Sequence, residues 1–251
     1  MRALGLLILL LGLGGPIPAQ DLAGARNLDR GVLVGLGYGP FTSAGDLGDR
    51  FGGGFAVGGA VDYTAANSGW QFGLMAQYGF GSEVKEDVLA SLRSSANSLI
   101  GNQREPADIN LRQRQLFIGP RAGYTLAVGN NRRAGIQLRT AVGYFYSRIR
   151  IQQDPIQFVP QVEEGLQAGY DRLAGGPAIY QFIGYQQLAR DRRLNFFAGV
   201  EATAGFTTNL RSFDIPTRGP PPDGGRTDLV LGFRAGLILP IYIGEGREIF
   251  Y

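Results

Sequence analysis

Trp70–Gly81 reads WQFGLMAQYGFG, in which Trp70, Phe72, Leu74, Ala76, Tyr78 and Phe80 alternate with Gln71, Gly73, Met75, Gln77 and Gly79. A period of two marks a strand whose two faces meet different surroundings. A soluble sheet packs such an apolar face on its core, whereas a membrane barrel turns it to lipid. The stretch alone leaves both open.

The same alternation recurs along the chain. The runs are 31–39, 55–63, 70–81, 115–126, 135–147, 177–188, 194–206 and 228–242, eight in all. In the sixth, two registers compete, with Ile179, Ile183 and Tyr185 set against Tyr180 and Phe182. The connectors sort by length. Short ones lie around Ala66-Asn67-Ser68-Gly69, at VGNNRR (128–133) and at ARDRR (189–193); long ones cover 40–54, 82–114, 149–176 and 207–227. An even number of strands with short turns at one end and long loops at the other is the pattern of an outer-membrane barrel. Each run is long enough for a tilted crossing. The expected fold is therefore all-β, an eight-stranded antiparallel up-and-down transmembrane β-barrel over 21–251.

The second register is polar. Asp62, Arg121, Arg139, Glu201 and Arg234 fall on it, among glutamines and glycines. Charges in mid-strand are costly unless paired or solvated, and an eight-stranded barrel has an interior just wide enough for side chains. These five residues are the expected lumen polar network, with glycines making room for them. The outward register carries Tyr38, Tyr63, Trp70, Tyr78, Tyr144 and Tyr146, the expected aromatic girdle at the membrane interfaces. A lipocalin-like soluble barrel would invert this polarity.

The first twenty residues, MRALGLLILLLGLGGPIPAQ, place Arg2 before a short apolar run, then Gly and Pro breakers and a small residue. That is the layout of a secretory signal peptide, 1–20, with cleavage expected near Ala19 or Gln20. The run is too short to span a bilayer as a helix. Forty glycines exceed the ordinary share, yet no period of three accompanies them. The chain has no cysteine, which removes disulfides, thiolate nucleophiles and Cys-based metal sites. Its formal charge of +3 argues for no nucleic-acid partner.

Four stretches of the second half, GYDRLAGG (169–176), FIGYQQL (182–188), NFFAGVEATAGFTTNLRSFD (195–214) and RTDLVLGFRAGLILPIY (226–242), resemble small outer-membrane β-barrel proteins of the Bacteroidota. EDVLASL through SLIGN (86–102) is similar to that family's long second loop, and the aromatic ending EIFY (248–251) is similar to its endings. The proline-rich RGPPPDGG (218–225) departs from the pattern. The resemblance implies fold and outer-membrane location, and no settled biochemical role.

Catalysis has little to work with. There is no histidine, the side chain most easily poised as a base near neutral pH. Glu163 and Glu164 are adjacent and loop-borne, and no acid pair has a recognisable catalytic spacing. GLGYG (35–39) lacks the following helix that a phosphate loop needs. No catalytic residue, metal site or cofactor is expected. Arg132-Arg133 and Arg190–Arg193 are expected to line the periplasmic rim. In the second loop, Val84, Val88, Leu89, Leu92, Ala96 and Leu99 have helical spacing, with Ser82 as its cap, and a second short helix is expected over 160–168. Such a helix either caps the barrel mouth or docks a partner. The reading is thus a non-enzymatic barrel with a filled lumen and a structural or interaction role through its loops; the alternative is a narrow channel for ions or small solutes. The expected partners are outer-membrane lipid and lipopolysaccharide, the barrel assembly machinery, and an envelope protein at the long loops. For assembly, the terminal aromatic is either Tyr242, ending the last strand, or Tyr251.

Overall fold

The computed structural model describes residues 27–154, 156–163, 165–189, 194–221 and 224–243. The expected signal peptide, Pro155, Glu164, Arg190–Arg193, Pro222-Asp223 and the EIFY ending lie outside them. Eight strands form a closed antiparallel barrel: β1 (Gly31–Gly45), β2 (Gly53–Thr64), β3 (Trp70–Gly81), β4 (Ile109–Ala127), β5 (Ala134–Gln153), β6 (Ala174–Gln187), β7 (Phe196–Asn209) and β8 (Arg226–Tyr242). Each pairs with its sequence neighbours, and β1 closes on β8 from Gly31 opposite Tyr242 to Gly45 opposite Asp228. Closure leaves no free sheet edge through the body of the wall, where each strand is paired on both sides.

The alternation decides what faces where. Leu36, Leu74, Leu237 and Val200 are each at least 60% exposed on the outside. Gln71, Gln77, Gln115, Gln137, Thr203 and Ser147 are buried inside. An apolar exterior this extensive far exceeds the patches that water-soluble monomers expose. It has the chemistry of a lipid-facing belt. The ambiguous register of β6 resolves the same way: Ile179, Ile183 and Tyr185 face out, while Tyr180 and Phe182 fill the interior.

Glycine makes room at two kinds of place. A Cβ at Gly58 would lie 2.9 Å from an Arg234 guanidinium nitrogen, so this position is small to admit a long lumenal side chain. Gly184 and Gly199 pair across β6 and β7, and the Phe182 ring lies over both. Their role is close strand approach rather than room for a lumenal charge.

The long loops differ from expectation. No helix forms from Ser82 to Leu99; instead a 3-10 turn covers Ala90–Leu92, and Leu99–Ile100 pairs with Pro106–Ala107. Ser94, Ser95, Asn97 and Ser98 disfavour a helix interior, Asn97 adopts φ 60, and the Asp87 carboxylate turns back to accept from the Leu89 amide at 3.1 Å. The second expected helix is likewise two 3-10 turns, Pro160–Val162 and Gln167–Gly169. Among the described residues the α-helical geometry at this end is α1 (Asp46–Arg50), a single turn in the first loop.

The β4–β5 hairpin also runs further than the expected 115–126 and 135–147, with Ile109 opposite Gln153. Its extension is held by the loops: Ile149 and Ile151 are buried, and Ile109 and Leu111 pack on the same core. Alternation there was masked because the outward register is arginine rather than apolar.

Candidate functional site: filled lumen and joined outer loops

Asp62 on β2 and Arg121 on β4 each pair with Gly73 on the strand between them. With no side chain at Gly73, carboxylate and guanidinium meet above it. Arg121 Nε donates to Asp62 Oδ1 at 2.7 Å, and its Nη2 donates to the second oxygen. Two parallel charge-assisted bonds are the favourable geometry for a buried pair.

Glu201 gathers a second cluster. Arg234 donates to it from Nε at 2.5 Å and Nη2 at 2.9 Å, Tyr180 Oη at 2.8 Å and Gln77 Nε2 at 3.0 Å. Tyr180 and Gln77 were not among the expected network residues. Gln77 was legible as inward-facing, but Tyr180 was hidden by an aromatic strand with two plausible registers. Arg139 is held differently from the other two arginines. Among the described residues no carboxylate pairs with it; its Nη2 donates to Gln186 at 2.7 Å, and its guanidinium lies 4.6 Å from the Phe197 ring centre and 5.1 Å from that of Phe182. Cation–π contact and an amide stand in for an ion pair. A cavity of about 20 Å³ lies between Asp62, Arg121, Arg139 and Arg234, room for one water molecule.

At the short-turn end, Arg133 does not line the rim. It is 1% exposed and points inward, donating to Thr64 Oγ1 and to the carbonyls of Asp29 at 3.1 Å and Ala65 at 2.8 Å. The reason is the tight turn, which leaves carbonyls facing the lumen in need of a donor. Burial lowers its basicity.

The outer end carries an ion-pair chain that crosses all four long loops. Arg50 of α1 pairs with Glu86 of the second loop at 3.0 Å, Glu86 with Arg172 of the third at 2.8 Å, and Arg172 with Asp214 of the fourth at 2.5 Å. Backbone contacts reinforce it: the Ile215 amide donates to Gly169 at 3.0 Å, and the Lys85 amide to Arg50 at 2.8 Å. Beneath lie buried Leu47, Phe51, Val88, Leu89, Val159 and Val162. Burial, then nearby Arg226, lowers the Arg50 guanidinium. For Asp214, burial opposes the charge, but Thr217 and Arg172 more than offset it and hold the carboxyl below its ordinary value. Arg172 is raised for the complementary reason, burial being outweighed by Asp214 and Glu86.

On the outer wall, Tyr38, Tyr63, Trp70, Tyr78 and Tyr144 are exposed and Tyr146 is half-buried. Trp70 stacks on Phe72 and sits 4.9 Å from Tyr124, beside the short turns. Tyr144 and Tyr146 lie toward the loop end of β5.

Among solved structures, neisserial surface protein A is 10% identical, with a TM-score of 0.50 over 84% of this chain and 97% of that one. The fold is that of an eight-stranded outer-membrane β-barrel. Two further likenesses are weaker. Ail of Yersinia pestis, solved with the heparin analogue sucrose octasulfate, is 9% identical, covering 84% and 99%, at TM-score 0.40. The N-terminal barrel of Pseudomonas aeruginosa OprF is 12% identical, covering 83% and 99%, at 0.37. No family model matches the sequence, and no curated protein does. At 10% identity the likeness to neisserial surface protein A shows the fold alone.

Proposed function

We propose that this chain is a non-enzymatic barrel of the outer membrane whose role is structural or interactive and is carried by its joined outer loops. The observation that carries the reading is the chain Arg50–Glu86–Arg172–Asp214, which ties four loops into one surface over a lumen filled by side chains, the Asp62–Arg121 and Glu201–Arg234 pairs among them. Loops meant to open a pore would gain nothing from being tied to one another. Loops presenting a recognition surface gain preorganisation, because ordering is completed before a partner arrives.

The same reading has the chain exported by its leader, inserted by the barrel assembly machinery and surrounded by outer-membrane lipid, with an envelope protein as partner at the loops. Membership among the small barrels of the Bacteroidota belongs to this proposal, on the stretches that resemble them. Planar-bilayer recording tests it. A filled lumen predicts no steady open state; a stable ohmic conductance would favour the narrow channel.

A further inference from the structure

The β4–β5 hairpin changes chemistry at one level of its outward face. On β5 that face runs Ile136, Leu138, Thr140, Val142, Tyr144, Tyr146, and then Arg148 and Arg150. On β4 it runs from Ile118 and Leu116 to Arg114 and Arg112. The register sets Arg114 opposite Arg148 and Arg112 opposite Arg150. Four guanidiniums therefore form a two-by-two block just beyond the tyrosines. Among the described residues none of the four enters an ion pair.

Like charges directly opposite one another destabilise a strand pair. The block therefore calls for anions from outside the chain. Its height says which. From Ile136 to Tyr146 a tilted strand climbs about 25 Å, the height of an outer-membrane apolar band. The next outward residues then stand at headgroup level. A groove of about 420 Å³ runs beside the block, where Arg112 and Arg114 meet Phe55 and Phe80, so cationic and apolar surfaces are continuous there. Arginine's planar fork binds phosphate oxygens in pairs.

We propose that Arg112, Arg114, Arg148 and Arg150 bind the phosphates of a phosphorylated glycolipid of the outer leaflet. Its acyl chains lie against Phe55 and Phe80. The inference rests on the membrane reading above and adds a lipid site to it, on the wall rather than on the loops.

The test compares the wild-type barrel with a variant carrying R112Q, R114Q, R148Q and R150Q, both inserted in phosphatidylcholine vesicles containing bisphosphorylated lipid A. After detergent extraction, retained lipid is counted by native mass spectrometry. Wild type is expected to retain lipid A, with affinity falling roughly five-fold for each arginine replaced and on the order of a hundred-fold or more for all four. The corresponding quadruple lysine variant keeps the charge and is expected to fall between them, which separates binding from folding. Equal retention by wild type and the glutamine variant would overturn the proposal, as would displacement by inorganic phosphate as readily as by lipid A, which marks a free-phosphate site. Failure of wild type to insert in any vesicle would overturn the membrane reading and this proposal together; insertion without retention overturns this proposal alone.

Discussion

Glu86 accepts from Arg172 at 2.8 Å, and that contact joins the first and second outer loops to the third and fourth. Glu86 accepts a hydrogen bond from Arg172 on one carboxylate oxygen and pairs with Arg50 at 3.0 Å through the other, and among the described residues it is the acid that bridges the two arginines. Replacing it by Gln is expected to raise hydrogen exchange in all four loops, while the barrel's own unfolding midpoint stays put. The pairs are partly exposed, so the local cost is about 1 kcal/mol. An effect confined to the second loop would show that the loops are ordered independently.

Asp214 predicts the acid behaviour of the cap. Its folded carboxyl is held below the ordinary 3.8, after Thr217 and Arg172 outweigh burial. A depressed acid contributes stability that is complete above its unfolded value and is lost as pH falls through the folded one. Protection of the fourth loop is therefore expected to be equal at neutral and mildly acid pH and to fade only below about 3.8. Exchange mass spectrometry across that range checks it, and loss of protection already in the mildly acid range would contradict it.

In the lumen, Asp62→Asn leaves Arg121 charged and unpaired beneath the wall. The expected cost is about 3–5 kcal/mol, read from urea unfolding of the vesicle-inserted barrel. Removing both partners together, Asp62→Asn with Arg121→Gln, is expected to cost less than Asp62→Asn alone. Additive costs would mean that the two do not act as a pair.

Arg139 and Arg234 should respond differently to the same change. Arg234→Met strips Glu201 of two bonds from its guanidinium and leaves a buried carboxylate short of donors. Arg139→Met removes one bond to Gln186 and replaces a cation over Phe197 and Phe182 with a thioether that packs well on rings. The first is expected to destabilise by several-fold more than the second, in the same unfolding assay. Equal losses would place an unseen anion beside Arg139.

The wall was legible because one period runs through every strand and assigns each side chain to lipid or lumen. Where both registers are bulky, as at Ile179, Tyr180, Phe182 and Ile183, the period cannot choose, and closure of the barrel does. The lumen's charges could be named from alternation, but their partners depend on stagger between strands. That is why Arg139 rests on Phe197 rather than on a carboxylate. The second loop misled for a different reason: its apolar spacing is helical, while its serines and asparagine are not. The ion chain was illegible altogether, since Arg50, Glu86, Arg172 and Asp214 lie in four separate loops and meet only once the barrel has brought those loops together.

Trp70, the chain's single tryptophan, begins the apolar face of β3 and reports directly on whether that face meets lipid. With the barrel inserted in vesicles, its fluorescence should be quenched most by lipids brominated close to the headgroup end of the acyl chain, because the residue lies on the outer wall next to the short turns. Strong quenching by brominated lipid at that shallow depth is the predicted result. Insensitivity to brominated lipid at every depth, in a barrel shown to be folded, would mean that this face does not meet lipid.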